Sequence, residues 1–93
     1  MGVAETAITA RITAALRARG CTVYKTHSGG LTQSGVLDLI VCYEGRYLEL
    51  EVKTPRGRVT PLQRHRIEQV RAARGWAGVV LSVRGALDAL DEL

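Results

Sequence analysis

Three residues near the middle of this 93-residue chain, Asp38, Glu51 and Lys53, carry ionisable groups on otherwise apolar, strand-like segments. Taking an ionised group out of water costs several kcal/mol unless it is paired or binds a metal, so a domain of this size does not place three there for stability. The arrangement points to a divalent-metal site. Carboxylate oxygens with no His or Cys cluster beside them suit Mg²⁺ or Mn²⁺, which keep several waters and take phosphate oxygens as further ligands. A lysine two residues from a ligand, on the same strand face, can orient or deprotonate an attacking water and offset charge building on phosphorus. Phosphodiester hydrolysis is the reaction that follows.

Two strands must position these groups. Val36 to Tyr43 is apolar on both faces and reads as a central strand with one acid near its start. Tyr47 to Lys53 alternates, with Tyr47, Glu49, Glu51 and Lys53 on one face and Leu48, Leu50 and Val52 on the other. Glu44-Gly45 between them is a hairpin turn signal. An antiparallel pair folded there brings Asp38 beside the Glu51 to Lys53 end. Glu49 shares the site face but lies two residues farther from the strand end, and reads as solvated or paired.

The rest of the chain supplies the support. Val3 to about Arg19 carries Ile8, Ile12, Ala15 and Leu16 at helical spacing and is stopped by Gly20. At about 100° per residue, Glu5 projects onto the same stripe, where it could reach toward the site. Cys21 to Thr26 is β-rich, and His27 to Gly35 is dense in turn formers. After the basic turn Thr54 to Val59, Thr60-Pro61-Leu62-Gln63 offers an N-cap, a proline at the first helical position and a capping-box glutamine. A helix is expected from Pro61 to Arg74, with Leu62, Ile67, Val70 and Ala73 inward and Gln63 within that arc. Trp76 to Val83 reads as a fourth, buried strand, and Arg84 to Leu93 as a closing helix with Ser82 as its cap. The expected order is αβββαβα in a single domain spanning residues 1–93, with no repeat, linker or low-complexity tract.

Thirteen Lys and Arg against nine acids leave a formal charge of +4, more basic still once the site has taken its carboxylates, which favours nucleic acid as a partner over membrane or acidic peptide. A chain this short buries only about 60 to 65% of its unfolded surface, so a dimer is expected. Cys21 and Cys42 have no disulfide or zinc spacing and read as small core residues. No apolar run approaches the ~18 residues of a membrane span. The first 20 residues carry Glu5 and three arginines where a signal peptide needs an apolar block, so the expectation is cytosolic.

These motifs, in this order, resemble the PD-(D/E)XK nuclease superfamily: a helix acid, Gly35-Val-Leu-Asp38, Glu51-Val-Lys53 and Thr60-Pro-Leu-Gln63. Within it, the strings Asp38-Leu-Ile-Val, Glu51-Val-Lys-Thr-Pro and Thr60-Pro-Leu-Gln are similar to the VRR-NUC family, the virus-type replication-repair nucleases. Leu37 departs from the proline usual there, which bears on the local backbone bend and leaves the acid in place. The resemblance implies a restriction-endonuclease-like core with a central mixed sheet flanked by helices. It implies that Asp38, Glu51, the Val52 carbonyl and Glu5 hold Mg²⁺ or Mn²⁺, that Lys53 positions the attacking water, and that Gln63 orients the lysine or water. Stand-alone members are phage- or bacteria-associated and resemble Holliday-junction resolvases, so the implied activity is that of a homodimeric endonuclease on branched DNA, in recombination or repair.

Plainer readings accompany these. Glu5 could serve only the helix dipole, and Gln63 could serve only the cap of Thr60. Lys25, His27, Arg56 and Arg58 flank the expected site as DNA-phosphate contacts, whereas Arg64, Arg71 and Arg74 read as a solvated helix face. Gly29 and Gly30 could let their loop mould to a junction. The alternative to a nuclease is a module that binds branched DNA without cutting, or cuts only with a partner protein. Acids facing a polyanion argue against it.

Overall fold

In the computed structural model of the protein, the described residues are 3–26 and 35–93. The expected loop glycines Gly29 and Gly30 and the candidate DNA contact His27 lie outside them. The elements follow the expected order: α1 (Val3–Ala18), β1 (Thr22–Lys25), β2 (Leu39–Tyr43), β3 (Arg46–Val52), α2 (Pro61–Ala72), β4 (Trp76–Val80) and α3 (Val83–Asp91). The strands form one sheet in the order β1-β2-β3-β4. The first three are antiparallel neighbours and β4 runs parallel to β3, so the sheet is mixed.

The β2–β3 connection is the two-residue turn Glu44-Gly45, both at positive φ (50° and 79°), as a tight hairpin requires. It sets the register Leu39↔Leu50 and Val41↔Leu48. All four of these leucines and valines are fully buried. With Val52 and Val80 they face α1 and α3, whose Ile12, Leu16, Ala86 and Leu90 complete the main core. The opposite face carries a smaller apolar cluster of Leu37, Val70, Ala77 and Ile67 beneath α2. Because α2 packs on β4, it leaves the β1 and β2 rows of that face open.

This one-sided cover accounts for several departures from expectation. Cys21 is a core residue, but Cys42 is exposed, because its row (Thr22, Cys42, Tyr47) lies on the open face. Leu62 was expected inward and is 52% exposed. It lies against Gly35, where an added Cβ would meet its side chain at 3.3 Å. The last strand stops at Val80, Leu81 is 47% exposed, and Val83 belongs to the helix capped by Ser82. The helix hydroxyl cap supplies a better partner for the Gly85 N–H than a continued strand could.

Candidate metal centre

One further step of the β2–β3 register beyond Leu39↔Leu50 sets Asp38 opposite Glu51, on the face that carries Ile40 and Glu49. Asp38 sits at the bend before β2. Its Oδ2 accepts from the Val52 N–H at 3.0 Å, while its own carbonyl accepts from Thr26 N–H at 2.9 Å and Thr26 Oγ1 at 3.2 Å. Thr26, buried, also donates to the Leu37 carbonyl. Both strands beside β2 therefore fix the aspartate's backbone and carboxylate.

Glu51 is almost wholly buried. Its Oε2 accepts from Gln63 Nε2 at 3.0 Å and lies 3.5 Å from Lys53 Nζ. Burial pushes the Glu51 carboxyl up to about 7, the neighbouring Asp38 pushes it the same way, and Lys53 pulls it down. Two carboxylates directly across a strand pair repel each other. The Lys53 ammonium, 3.5 Å from Glu51, offsets part of that repulsion.

Gln63 closes the expected cap, and its amide reaches the carboxylate of Glu51 rather than the lysine it was expected to orient. Thr60 Oγ1 accepts from Gln63 N–H and Gln63 Oε1 accepts from Thr60 N–H, closing the capping box, while the amide nitrogen remains to hold Glu51. The Lys53 stem lies under the turn that follows it, since a Cβ at Gly57 would approach Lys53 Cδ at 3.0 Å. Lys53 N–H donates to the Val80 carbonyl, which extends the β3–β4 ladder to the lysine.

Beside this centre Glu49 is paired rather than solvated, in a network whose cation, Arg66, sequence reasoning missed. Glu49, fully buried, accepts from Arg66 Nε (3.0 Å) and Nη2 (2.6 Å), from the Tyr47 hydroxyl and from the Leu37 N–H. Burial alone would raise its carboxyl, but the bonds from Arg66, Tyr47 and Leu37 and the guanidinium charge outweigh it and hold Glu49 below the usual range. Glu49 is thus neutralised, and through Leu37 N–H it anchors the residue preceding Asp38. A signal was present: Glu49-x-Glu51 on a strand faces Gln63-x-x-Arg66 on a helix, one turn of α2 answering one repeat of the strand face.

The other expected site residues are placed as follows. Glu5 is half-buried in the first turn of α1, its carbonyl accepting from Thr9. Among the described residues no group of three or more His, Cys, Asp and Glu is gathered, so Glu5 does not join Asp38 and Glu51. Lys25 is exposed and shares its row with Leu39 and Leu50, the row facing α1 and α3 rather than the acids. Arg56 and Arg58 are exposed in the turn after Lys53. Arg71, expected to be merely solvated, donates to the Ala77 carbonyl at 2.8 Å and lies 5.7 Å from the Trp76 ring centre.

No family model matches the chain. No curated protein matches it either. Solved structures do. The chain is similar to a VRR_NUC domain at TM-score 0.79 and 24% identity, covering 97% of each chain. It is similar to a second VRR_NUC domain protein at TM-score 0.71 and 17% identity, covering 99% of this chain and 88% of the other. A third is Hjc of Archaeoglobus fulgidus, a Holliday junction resolvase, at TM-score 0.65 and 17% identity, over 83% of this chain and 67% of that one. The protein has the α/β fold of VRR_NUC domains and PD-(D/E)XK nucleases.

Proposed function

We propose that this protein is a divalent-metal-dependent endonuclease that hydrolyses phosphodiester bonds in branched DNA, as a homodimer. The observation that carries the reading is the cross-strand pair of Asp38 and Glu51 with Lys53 3.5 Å from Glu51. The likeness to a Holliday junction resolvase supports a four-way junction as substrate.

The donor set fits Mg²⁺ or Mn²⁺. Two adjacent carboxylates match an ion that keeps most of its waters and binds through one or two acids, and the Glu51 carboxyl, raised first by burial and then by Asp38, is one whose ionised form a cation would favour. Asp38 and Glu51 would hold it, with the Val52 carbonyl as a further candidate, while Glu5 stands apart from the pair. When bound, the ion would polarise the phosphoryl group and neutralise charge as the bond breaks.

The chain's own residues do the positioning. Val52 N–H and the Glu49 anchor on Leu37 hold Asp38 from two sides, and Gln63 holds Glu51. Lys53, with its stem confined beneath Gly57, presents an ammonium beside Glu51 that can orient the attacking water and offset charge on the phosphoryl oxygens. The water oxygen forms a bond to phosphorus as the bond to the leaving 3′ oxygen breaks. One such centre per chain means that paired cuts on two strands need two copies.

The test is cleavage of labelled four-way junction, flap, nicked duplex and single-stranded DNA with Mg²⁺, Mn²⁺ or EDTA. Wild type is expected to cut a branched substrate only with metal, while Asp38→Asn and Lys53→Ala bind it and do not cut. Binding without cutting under either metal would make the protein a DNA-binding module instead.

A further inference from the structure

Two aromatic rings are left largely in water on the sheet face that carries the acids, Tyr24 at 56% exposure and Tyr47 at 43%. The register lays that face out in rows. Tyr24, Ile40 and Glu49 form the row next to Asp38 and Glu51, and Thr22, Cys42 and Tyr47 form the row after it. α2 packs on β4 and closes over Glu49 through Arg66, leaving the β1 and β2 part of both rows open. Thr22, Tyr24, Ile40 and Cys42 therefore make a shelf beside the acids, with Ile40 half-buried and the other three exposed.

The composition of the shelf limits what it can bind. None of its four residues is an acid, a lysine or an arginine, so it offers apolar surface and a ring rather than the cations that hold a phosphate. Tyr24 adds nothing to the packing of the chain itself, since it belongs to neither apolar cluster, whereas Tyr43 on the opposite face packs against the main core. Tyr24 stands one strand across and two residues along from Asp38, whose carbonyl accepts from Thr26 N–H in continuation of the β1–β2 pairing. At about 4.8 Å between strands and ~3.3 Å per residue, that offset is roughly 8 Å between Cα atoms. Successive nucleotides rise by ~3.4 Å along a strand, so a phosphate held at the acids brings the nucleosides beside it within reach of the ring.

On the premise of the nuclease reading, we infer that the shelf receives a nucleoside flanking the scissile phosphate, with the Tyr24 ring stacking on its base. A base can offer its face to the ring only when it has left its own stack. Unstacking is least costly where a base is already unpaired or at a break in the helix, so this contact selects DNA that is open at the cut over continuous duplex. Every base has such a face, so the contact discriminates by DNA structure and is tolerant of sequence. The acids and the shelf then divide the work: Asp38 and Glu51 address the phosphate and Tyr24 addresses the nucleoside next to it.

The test is cleavage of a four-way junction whose cut position has been mapped, either intact or with an abasic nucleotide on one or the other side of the cut. Wild type is compared with Tyr24→Ala and Tyr24→Phe, and each is also melted. On the intact junction Tyr24→Ala is expected to lower kcat/KM about tenfold, within the usual worth of one aromatic–base stack, while Tyr24→Phe keeps the ring and the activity. One of the two abasic junctions should lower wild type by a similar factor and leave Tyr24→Ala unchanged, so that the two losses do not add. Because Tyr24 is exposed, all three proteins should melt together.

Losses that add on both abasic junctions, or no loss in Tyr24→Ala, with wild type cutting throughout, would overturn the stacking contact and leave the nuclease standing. If Tyr24→Ala instead sediments as a monomer where wild type is a dimer, and loses activity equally on intact and abasic junctions, the shelf belongs to a second copy of the chain and the nucleoside assignment is overturned. Wild type that cuts no DNA with Mg²⁺ or Mn²⁺ would end both readings.

Discussion

At Glu51 three demands meet in one side chain: it is buried, it faces another acid and it pairs with a lysine. Its folded pKa of about 7 lies above that of an unfolded glutamate, so the folded state binds the extra proton between the two values. The Glu51 contribution to metal-free stability is therefore greatest below the unfolded pKa and falls as pH rises toward 7. Glu49 acts in the other direction. Held below the usual carboxylate range, it contributes stability that is present above the unfolded pKa and lost as pH falls through its folded pKa. Thermal melts in EDTA should show stability declining between about pH 5 and about pH 7, with Glu51→Gln flattening that decline. A wild-type curve that is flat across this window would show Glu51 to be an ordinary carboxylate. Glu49→Ala has a different signature. It strands the Arg66 charge and frees Leu37, so it should cost about 3 kcal/mol in denaturant unfolding and lower cleavage through a loosened Asp38. Unchanged stability would mean that the guanidinium finds water as readily as it finds Glu49.

At the scale of the element, α2 connects folding to the site. Its first turn is closed by Thr60 and Gln63, and the same glutamine reaches Glu51. Thr60→Ala should cost about 1 kcal/mol, the usual worth of such a cap, a drop of roughly 4 to 8 °C in a domain of this size. It should also lower activity beyond what the lost stability explains, while Thr60→Ser restores both. A variant that melts lower yet turns over normally would separate the cap from the site. The hairpin turn is the second such element. Glu44-Gly45 sets the register, and a register shifted by one residue would turn Glu49 and Glu51 into the α1–α3 core.

At the scale of the whole molecule, the order of elements, the β2–β3 register and the pairing of Asp38 with Glu51 and Lys53 could all be read from the chain. Alternation, turn residues and capping residues are local signals, and Tyr47 to Lys53 carries them without ambiguity. What could not be read depends on how layers cover one another. Which face α2 leaves open decided that Cys42 is exposed and that Lys25 stands on the row away from the acids. It also decided that Arg66 is consumed by Glu49. Periodicity ranks residues as inward or outward on one element and contains nothing about the partner element's extent. The same layering puts Asp38, Glu49 and Glu51 on one face of the sheet in a body measuring 31 × 28 × 25 Å, with α1 and α3 left to build the core behind it.

The most direct measurement is calorimetric titration of Mn²⁺ into the purified protein at neutral pH, with Asp38→Asn and Glu51→Gln alongside. Wild type is expected to give a saturable heat that both variants lose. At a metal concentration 100 times the dissociation constant, wild type alone should gain about 2.7 kcal/mol of stability. Binding that persists in both variants, or none in the wild type up to millimolar metal, would contradict the assignment of Asp38 and Glu51 as the metal centre.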